Sequence, residues 1–249
     1  CARRGRSHAI VPILEGKEIV MKIVFIIPRW PKDSFWDVIA LKFPLLSTSL
    51  LAGLTPDRHE ISIIDESISE IDFNQKVDLV AITAITPLAP RGYGIADQLR
   101  QRGKKVVIGG IHASWLPEEA KSHSDSVAIG EADETWAEIL EDVEAGKLKP
   151  FYRQKERTDL SRLPIPRRNL LPRKGYLFHN LIQTTRGCPY DCEFCSVTAF
   201  HGRTYRMRPI PEVEKEIQSL ERSKAYIFFV DDNIVGNLSY ARELFTMLS

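Results

Sequence analysis

Cysteine is scarce in this chain, with 4 in 249 residues. So few thiols exclude the disulfide framework that holds small secreted domains together. No sign of charge dominates: 34 Lys and Arg stand against 33 Asp and Glu, for a formal net charge of +1. That balance gives no global field to draw the protein onto nucleic acid or an acidic membrane surface, and no nucleic-acid partner is expected. Long apolar runs are missing as well. The longest, Ile23 to Pro28 and Ala225 to Val230, fall far short of the roughly 20 residues a membrane-spanning helix needs, so no transmembrane segment is expected. Neither G-x-G-x-x-G after the first apolar run nor G-x-x-x-x-G-K-[ST] occurs, which argues against a dinucleotide and against a nucleoside triphosphate.

The opening residues, "CARRGRSHAIVPILEGKEIV", have a basic start and a short apolar patch broken by Pro12. They show neither the longer apolar core nor the small-residue cleavage site of a secretory signal, and a cytoplasmic protein is expected. Residues 1–20 read as an extension ahead of a natural start at Met21, which sets Cys1 aside.

From Met21 onward, short apolar runs alternate with amphipathic ones, the pattern of βα units feeding a parallel sheet. Strands are predicted at Lys22 to Pro28, Glu60 to Asp65, Leu79 to Thr83, Lys105 to Ile108 and Ser126 to Ile129. Helices are predicted at Leu46 to Leu54, Pro90 to Arg102, Pro117 to His123 and Glu134 to Ala145. The fold class is therefore α/β, with residues 21–146 as a doubly wound, Rossmann-like domain. Such sheets bind ligands beyond the carboxyl ends of their strands. There the sequence places "IIPRW", "TAITPLAP", "GGIHAS" and "GEADE", loops rich in small residues where a backbone can approach a ligand closely. On their own, Gly109, Gly110 and Gly130 are equally explained as turn residues.

Residues 147–180 are rich in proline and basic side chains and lack sustained periodicity, so they read as a linker, with "RLPIPRRNLLPRK" as a solvated connector. A second βα pattern starts at Leu181 to Thr184 and continues with a helix at Pro211 to Arg222, a strand at Tyr226 to Val230 and a helix opening near Ser239. Two such units are too few to close a barrel, so residues 181–249 are expected to be the start of a longer domain.

The remaining cysteines stand together in "RGCPYDCEFC", where Cys188, Cys192 and Cys195 form C-x3-C-x2-C. Three thiols cannot pair off evenly, and a metal is the better explanation. Iron–sulfur clusters are usually held by four thiolates. Three leave one iron open, as in a catalytic centre. A zinc site built from the same cysteines plus His201 is the competing reading.

This motif, following a strand and with an aromatic before its last cysteine, resembles the signature of the radical S-adenosylmethionine superfamily. "GRTYRMRP" (Gly202 to Pro209) and "FVDDN" (Phe229 to Asn233) resemble segments of its cobalamin-dependent members. The order of the two halves resembles the class that includes hopanoid methylases and the anaerobic magnesium-protoporphyrin cyclase. The resemblance implies a [4Fe-4S] cluster on Cys188, Cys192 and Cys195, with S-adenosylmethionine chelated at the fourth iron and Phe194 beside its adenine. It implies a partial TIM barrel in which Asp231 and Asp232 face the cofactor and Arg206 lies near it. Arg203, Arg206 and Arg208 are equally well explained as an exposed basic segment. Thr83, Thr86, Gly109, Gly110, His112, Gly130 and Glu131 become candidates for a cobalamin cradle. No D-x-H-x-x-G is present, so the lower face of a bound corrinoid is expected to lack that histidine ligand, with His112 the nearest substitute by sequence.

The implied function is reductive cleavage of S-adenosylmethionine to a 5′-deoxyadenosyl radical. A cobalamin-dependent methyl transfer to an unactivated carbon would follow. A small-molecule or lipid-like substrate and an electron donor such as flavodoxin or ferredoxin are the implied partners. A radical enzyme whose first domain binds no cobalamin is one alternative. An electron-carrying module with a fourth protein ligand is another.

Overall fold

Five predicted apolar runs become the centre of one sheet. A computed structural model describes residues 20–32, 34–36, 43–172, 174–220 and 226–249. The proposed N-terminal extension, but for Val20, lies outside the described residues.

The sheet contains β1 (Lys22–Ile27), β2 (Glu60–Asp65), β3 (Leu79–Thr83), β4 (Lys105–Gly109), β5 (Ser126–Ile129) and β6 (Phe151–Arg153), in the order β2-β1-β3-β4-β5-β6. Every pairing in it is parallel. The inner strands are mostly apolar because a parallel sheet is covered on both faces. Only the first residue of β1 is exposed, whereas β2, next to it at the edge, alternates. Successive side chains point to opposite faces. Val24, Ile26, Val80 and Ile82 therefore pack on one side with α2 (Ala89–Arg100), α3 (Ile111–Trp115) and α4 (Pro117–His123). Ile23, Phe25 and Ile27 pack on the other with α1 (Leu46–Leu54) and α5 (Trp136–Glu144). Strand order reverses between β1 and β3, the crevice where doubly wound sheets hold ligands.

The reading of residues 147–180 as a linker, with "RLPIPRRNLLPRK" as a solvated connector, is corrected at two places. Phe151–Arg153 is a sixth strand, in register with β5 through Val127↔Phe151 and Ala128↔Tyr152. Three residues flanked by polar neighbours carry too little periodicity to announce a strand. Further along, Arg168 is buried and donates to the Leu181 carbonyl and to Glu216.

In the second half, β7 (Asn180–Ile182) pairs in parallel with β10 (Ile227–Phe229). A separate antiparallel pair joins β8 (Thr185–Arg186) to β9 (Arg206–Met207). Three helices complete it: α6 (Ser196–His201), α7 (Ile210–Gln218) and α8 (Leu238–Leu248). Ile182, Ile210, Val213, Tyr240 and Leu244 form a distinct small core. Beneath it lies a charged triad, in which Glu216 is 0% exposed and accepts from both Arg168 and Arg208.

Candidate active site

The carboxyl ends of β3, β4 and β5 open onto a cavity of about 400 Å³. Its wall is mainly aliphatic and small, because Ala81, Ala84, Gly109, Gly110 and Ala128 stand where larger side chains would fill the space. Gly110 has φ +99°, and a Cβ there would lie 2.7 Å from the Ala84 carbonyl oxygen, so the loop after β4 needs glycine at this point. Trp136 lines the base and is fixed by its Nε1–H donating to Thr55 Oγ1 at 2.8 Å. The far wall comes from the second half, through Gln183, Arg186, Phe200 and His201.

Of the predicted cradle residues, Thr83, Gly109, Gly110, Gly130 and Glu131 line this cavity. Thr86 and His112 do not. His112 is 9% exposed and lies in α3, with Nδ1 3.3 Å from Thr86 Oγ1 and Nε2 3.3 Å from Glu119 Oε1. Both ring nitrogens thus have protein partners.

The cysteine loop joins β8 to α6. At its root Gly187 has φ +87°, and a Cβ there would come within 2.2 Å of the Thr204 carbonyl oxygen. Cys188 and Cys195 are half-buried, Cys192 is exposed, and all three thiols are free. Among the described residues, no three His, Cys, Asp or Glu side chains converge closely enough to hold one metal ion. His201 is instead engaged by Glu131, with Nδ1 to Oε1 at 2.7 Å. The histidine of the zinc reading is thus paired with a carboxylate. A four-iron cubane meets each thiolate at a different iron, so its ligands stand farther apart than those of a single ion. A free, solvent-reachable thiol set with Asn233 Nδ2 donating to Cys188 Sγ at 3.5 Å fits such a group. Phe194 is 93% exposed, an aromatic face with open space beside it.

The two acids after β10 differ in kind. Asp231 Oδ1 accepts from the Thr184 amide at 2.9 Å, the Thr185 amide at 2.5 Å and both threonine hydroxyls at 2.7 Å. Its expected role facing the cofactor is corrected to that extent, since this oxygen is committed to holding the end of β7. Burial pushes its carboxyl up, against the pull of those threonine donors. Asp232 Oδ2 accepts the Gly187 amide at 3.2 Å, at the base of the cysteine loop.

Arg206 and Glu131, both expected beside a cofactor, reach each other. Arg206 pairs with both carboxylate oxygens and also donates to the Thr158 carbonyl at 3.0 Å. The exposed-segment reading holds for Arg203, on Asp191, but not for Arg206 or Arg208, which are turned inward. Burial opposes ionisation of Glu131 most strongly. Hydrogen bonds from Arg206 and His201, with the charges of Arg186 and Arg206, outweigh it and hold the carboxyl well below the usual carboxylate range. Arg186 and Asp133, which pair at 2.5 Å, and Asn233 were missed in the sequence reading. Their signal was adjacency, since Arg186 and Asn233 stand beside residues already singled out.

No protein-family model matches the chain. It is 37% identical over 190 residues to bacteriochlorophyllide d C-8(2)-methyltransferase of Chlorobaculum tepidum, covering 74% of this chain and 42% of that protein. It is 31% identical to the C-12(1)-methyltransferase of the same organism, covering 96% of this chain and 55% of that protein. The chain is a relative of these methylases. It spans about half the length of the curated relatives it matches. The two kinds named by the resemblance are also among its relatives, a hopanoid C-2 methylase from Rhodopseudomonas palustris at 25% and an anaerobic magnesium-protoporphyrin IX monomethyl ester cyclase from Cereibacter sphaeroides at 26%. They match 92% and 84% of this chain, and 46% and 40% of their own lengths. The fold matches that of TsrM from Kitasatospora setae, a radical S-adenosylmethionine methyltransferase solved with cobalamin and a [4Fe-4S] cluster bound. The TM-score is 0.66 over 90% of this chain and 51% of that one, at 17% identity.

Proposed function

We propose that this chain is the cofactor-binding part of a radical S-adenosylmethionine methyltransferase that uses cobalamin. In this reading residues 21–146 form the cobalamin-binding domain, 147–180 the connection, and 181–249 the first part of the radical S-adenosylmethionine domain. Cys188, Cys192 and Cys195 would hold the [4Fe-4S] cluster, and the cavity beyond β3, β4 and β5 would take part of the corrinoid. The observation that carries the reading is that three free thiols and an apolar cavity belong to loops joined by the same residues, Arg186 and His201.

When bound, the cluster supplies the electron that splits S-adenosylmethionine and cobalamin supplies a methyl carrier. The chain's own residues bind and position. Asn233 offers a hydrogen bond to the Cys188 sulfur, Asp232 holds the Gly187 amide, and the exposed Phe194 ring offers a stacking surface for a heterocycle. The cavity wall is mainly apolar, and among the described residues its lining provides no imidazole other than that of His201. The proposed substrate is a hydrophobic small molecule or lipid-like compound methylated at an unactivated carbon, with flavodoxin or ferredoxin as electron donor. Among the described residues, no helix is long and apolar enough to cross a membrane.

The test is anaerobic reconstitution of the full chain with iron, sulfide, hydroxocobalamin, reductant and S-adenosylmethionine. Formation of 5′-deoxyadenosine and methionine, with corrinoid absorption retained after desalting, is expected. An intact cluster that yields no 5′-deoxyadenosine would overturn the proposal.

A further inference from the structure

Both ends of the cysteine loop are tied to one carboxylate on the opposite side of the cavity. Arg186, directly before Gly187, reaches Glu131 Oε2 at 3.1 Å, and His201, which closes α6, reaches Oε1 at 2.7 Å. Arg206 takes both oxygens. The register of β8 against β9 sets Arg186 directly opposite Arg206. Like charges facing each other across an antiparallel pair repel. Among the described residues Glu131 is the one carboxylate that meets both, because Asp133 reaches only Arg186, at 2.5 and 3.5 Å. The small β8–β9 pair that carries the loop is thus assembled around a counter-charge borrowed from the first sheet. Glu131 is 3% exposed at its side chain, so water does little to replace that charge. On its other side His201 Nε2 lies 3.8 Å from Asp232, which holds the Gly187 amide at 3.2 Å. The backbone of Glu131 is itself fixed, its amide donating to Gln154 Oε1 at 3.0 Å. The residue also lines the cavity.

We propose that Glu131 is a positioning residue that couples occupancy of the cavity to the placement of the three thiols, through its bonds to Arg186, His201 and Arg206. The inference rests on the reading of the thiols as cluster ligands and of the cavity as a cobalamin site. A ligand entering the cavity displaces or reorients the 130–135 loop, and the same carboxylate carries that change to both ends of the cysteine loop.

The test compares native chain, Glu131→Gln and Glu131→Asp, each reconstituted anaerobically with iron and sulfide. Measured are the electron paramagnetic resonance spectrum and midpoint potential of the cluster, with and without hydroxocobalamin, beside thermal midpoints. The native chain is expected to show a change in g-values and potential on adding cobalamin. Glu131→Gln is expected to bind both groups yet lose that change, and Glu131→Asp to regain part of it. A role in stability alone would lower the thermal midpoint and leave the cobalamin-induced change intact, which overturns the proposal. A native chain that binds both groups and shows no change overturns it too, without touching the proposed function. A native chain that takes up no cluster overturns the proposed function and this inference with it. Should Glu131→Gln not fold, the charge-matched Glu131→Gln/Arg206→Gln pair replaces it, with the same loss expected and a retained change contradicting the proposal.

Discussion

Replacing Glu216 by Gln removes the carboxylate charge that two buried guanidinium groups share and leaves the side chain's shape nearly unchanged. Glu216 is 0% exposed at its side chain, and Arg168 and Arg208 are 9% and 6% exposed, with one carboxylate oxygen serving each. Burial lowers the pKa of Arg168, and the charge and hydrogen bond of Glu216 work against that. In the variant one amide oxygen still accepts from one arginine while the other arginine faces an amide donor, and beyond that each cation keeps a carbonyl partner, Leu181 for Arg168 and Gln183 for Arg208. Removing one member of a buried ion pair costs about 3–5 kcal/mol, against a typical total stability of roughly 5–15 kcal/mol. At about 2–4 °C per kcal/mol for a chain of this size, the thermal midpoint of the transition that includes α7 should fall by roughly 6–20 °C. Differential scanning calorimetry of the apo chain reads this. In the Glu216→Gln background, Arg168→Met should cost less than it does in the native chain, because the cation it removes has already lost its partner. A loss below about 1 kcal/mol, the range of exposed pairs, would refute the claim that this triad is desolvated and holds the linker to the second core.

Three further outcomes follow from the same geometry. Glu131 has a carboxyl held well below its unfolded value, so its contribution is present above an unfolded pKa of about 4.3 and is lost as pH falls toward the folded value. Acid titration of native chain against Glu131→Gln should show their stability gap shrinking below that pH, and a gap independent of pH would contradict the pairing. Asp231 shifts the other way. Its stabilising effect is full below about pH 3.9 and is lost as pH rises through the raised folded value, so Asp231→Asn should gain on the native chain as pH rises. An opposite trend in denaturant midpoints would count against burial as the governing cause. Gly187→Ala, at φ +87° and with its Cβ 2.2 Å from the Thr204 carbonyl oxygen, should displace the cysteine loop and lower iron uptake on reconstitution. Uptake equal to native would show that the loop does not need this backbone conformation.

The first sheet was legible almost to the residue, because β1, β3, β4 and β5 are apolar runs with helices between them. Phe151–Arg153 escaped because its place in the sheet comes from pairing with β5, not from a pattern of its own. The basic linker misled for a related reason. Arg168 reads as solvated until its partner, 48 positions away, is known. In the site, the thiols declared themselves by spacing and the cavity loops by their glycines. Glu131 was singled out as a cavity residue, and its bonds to Arg186, His201 and Arg206 could not be seen from sequence, since they join segments 55 to 75 positions apart. The role of Asp231 was hidden likewise, as its donors Thr184 and Thr185 lie on another strand end.

In the proposed function Cys188, Cys192 and Cys195 hold a cluster with one iron left open for S-adenosylmethionine. The most direct measurement is the electron paramagnetic resonance spectrum of the reduced, reconstituted chain before and after S-adenosylmethionine is added. A reduced [4Fe-4S] signal is expected whose g-values move on addition and which is abolished by Cys192→Ser. A reduced cluster whose spectrum is indifferent to S-adenosylmethionine would contradict it.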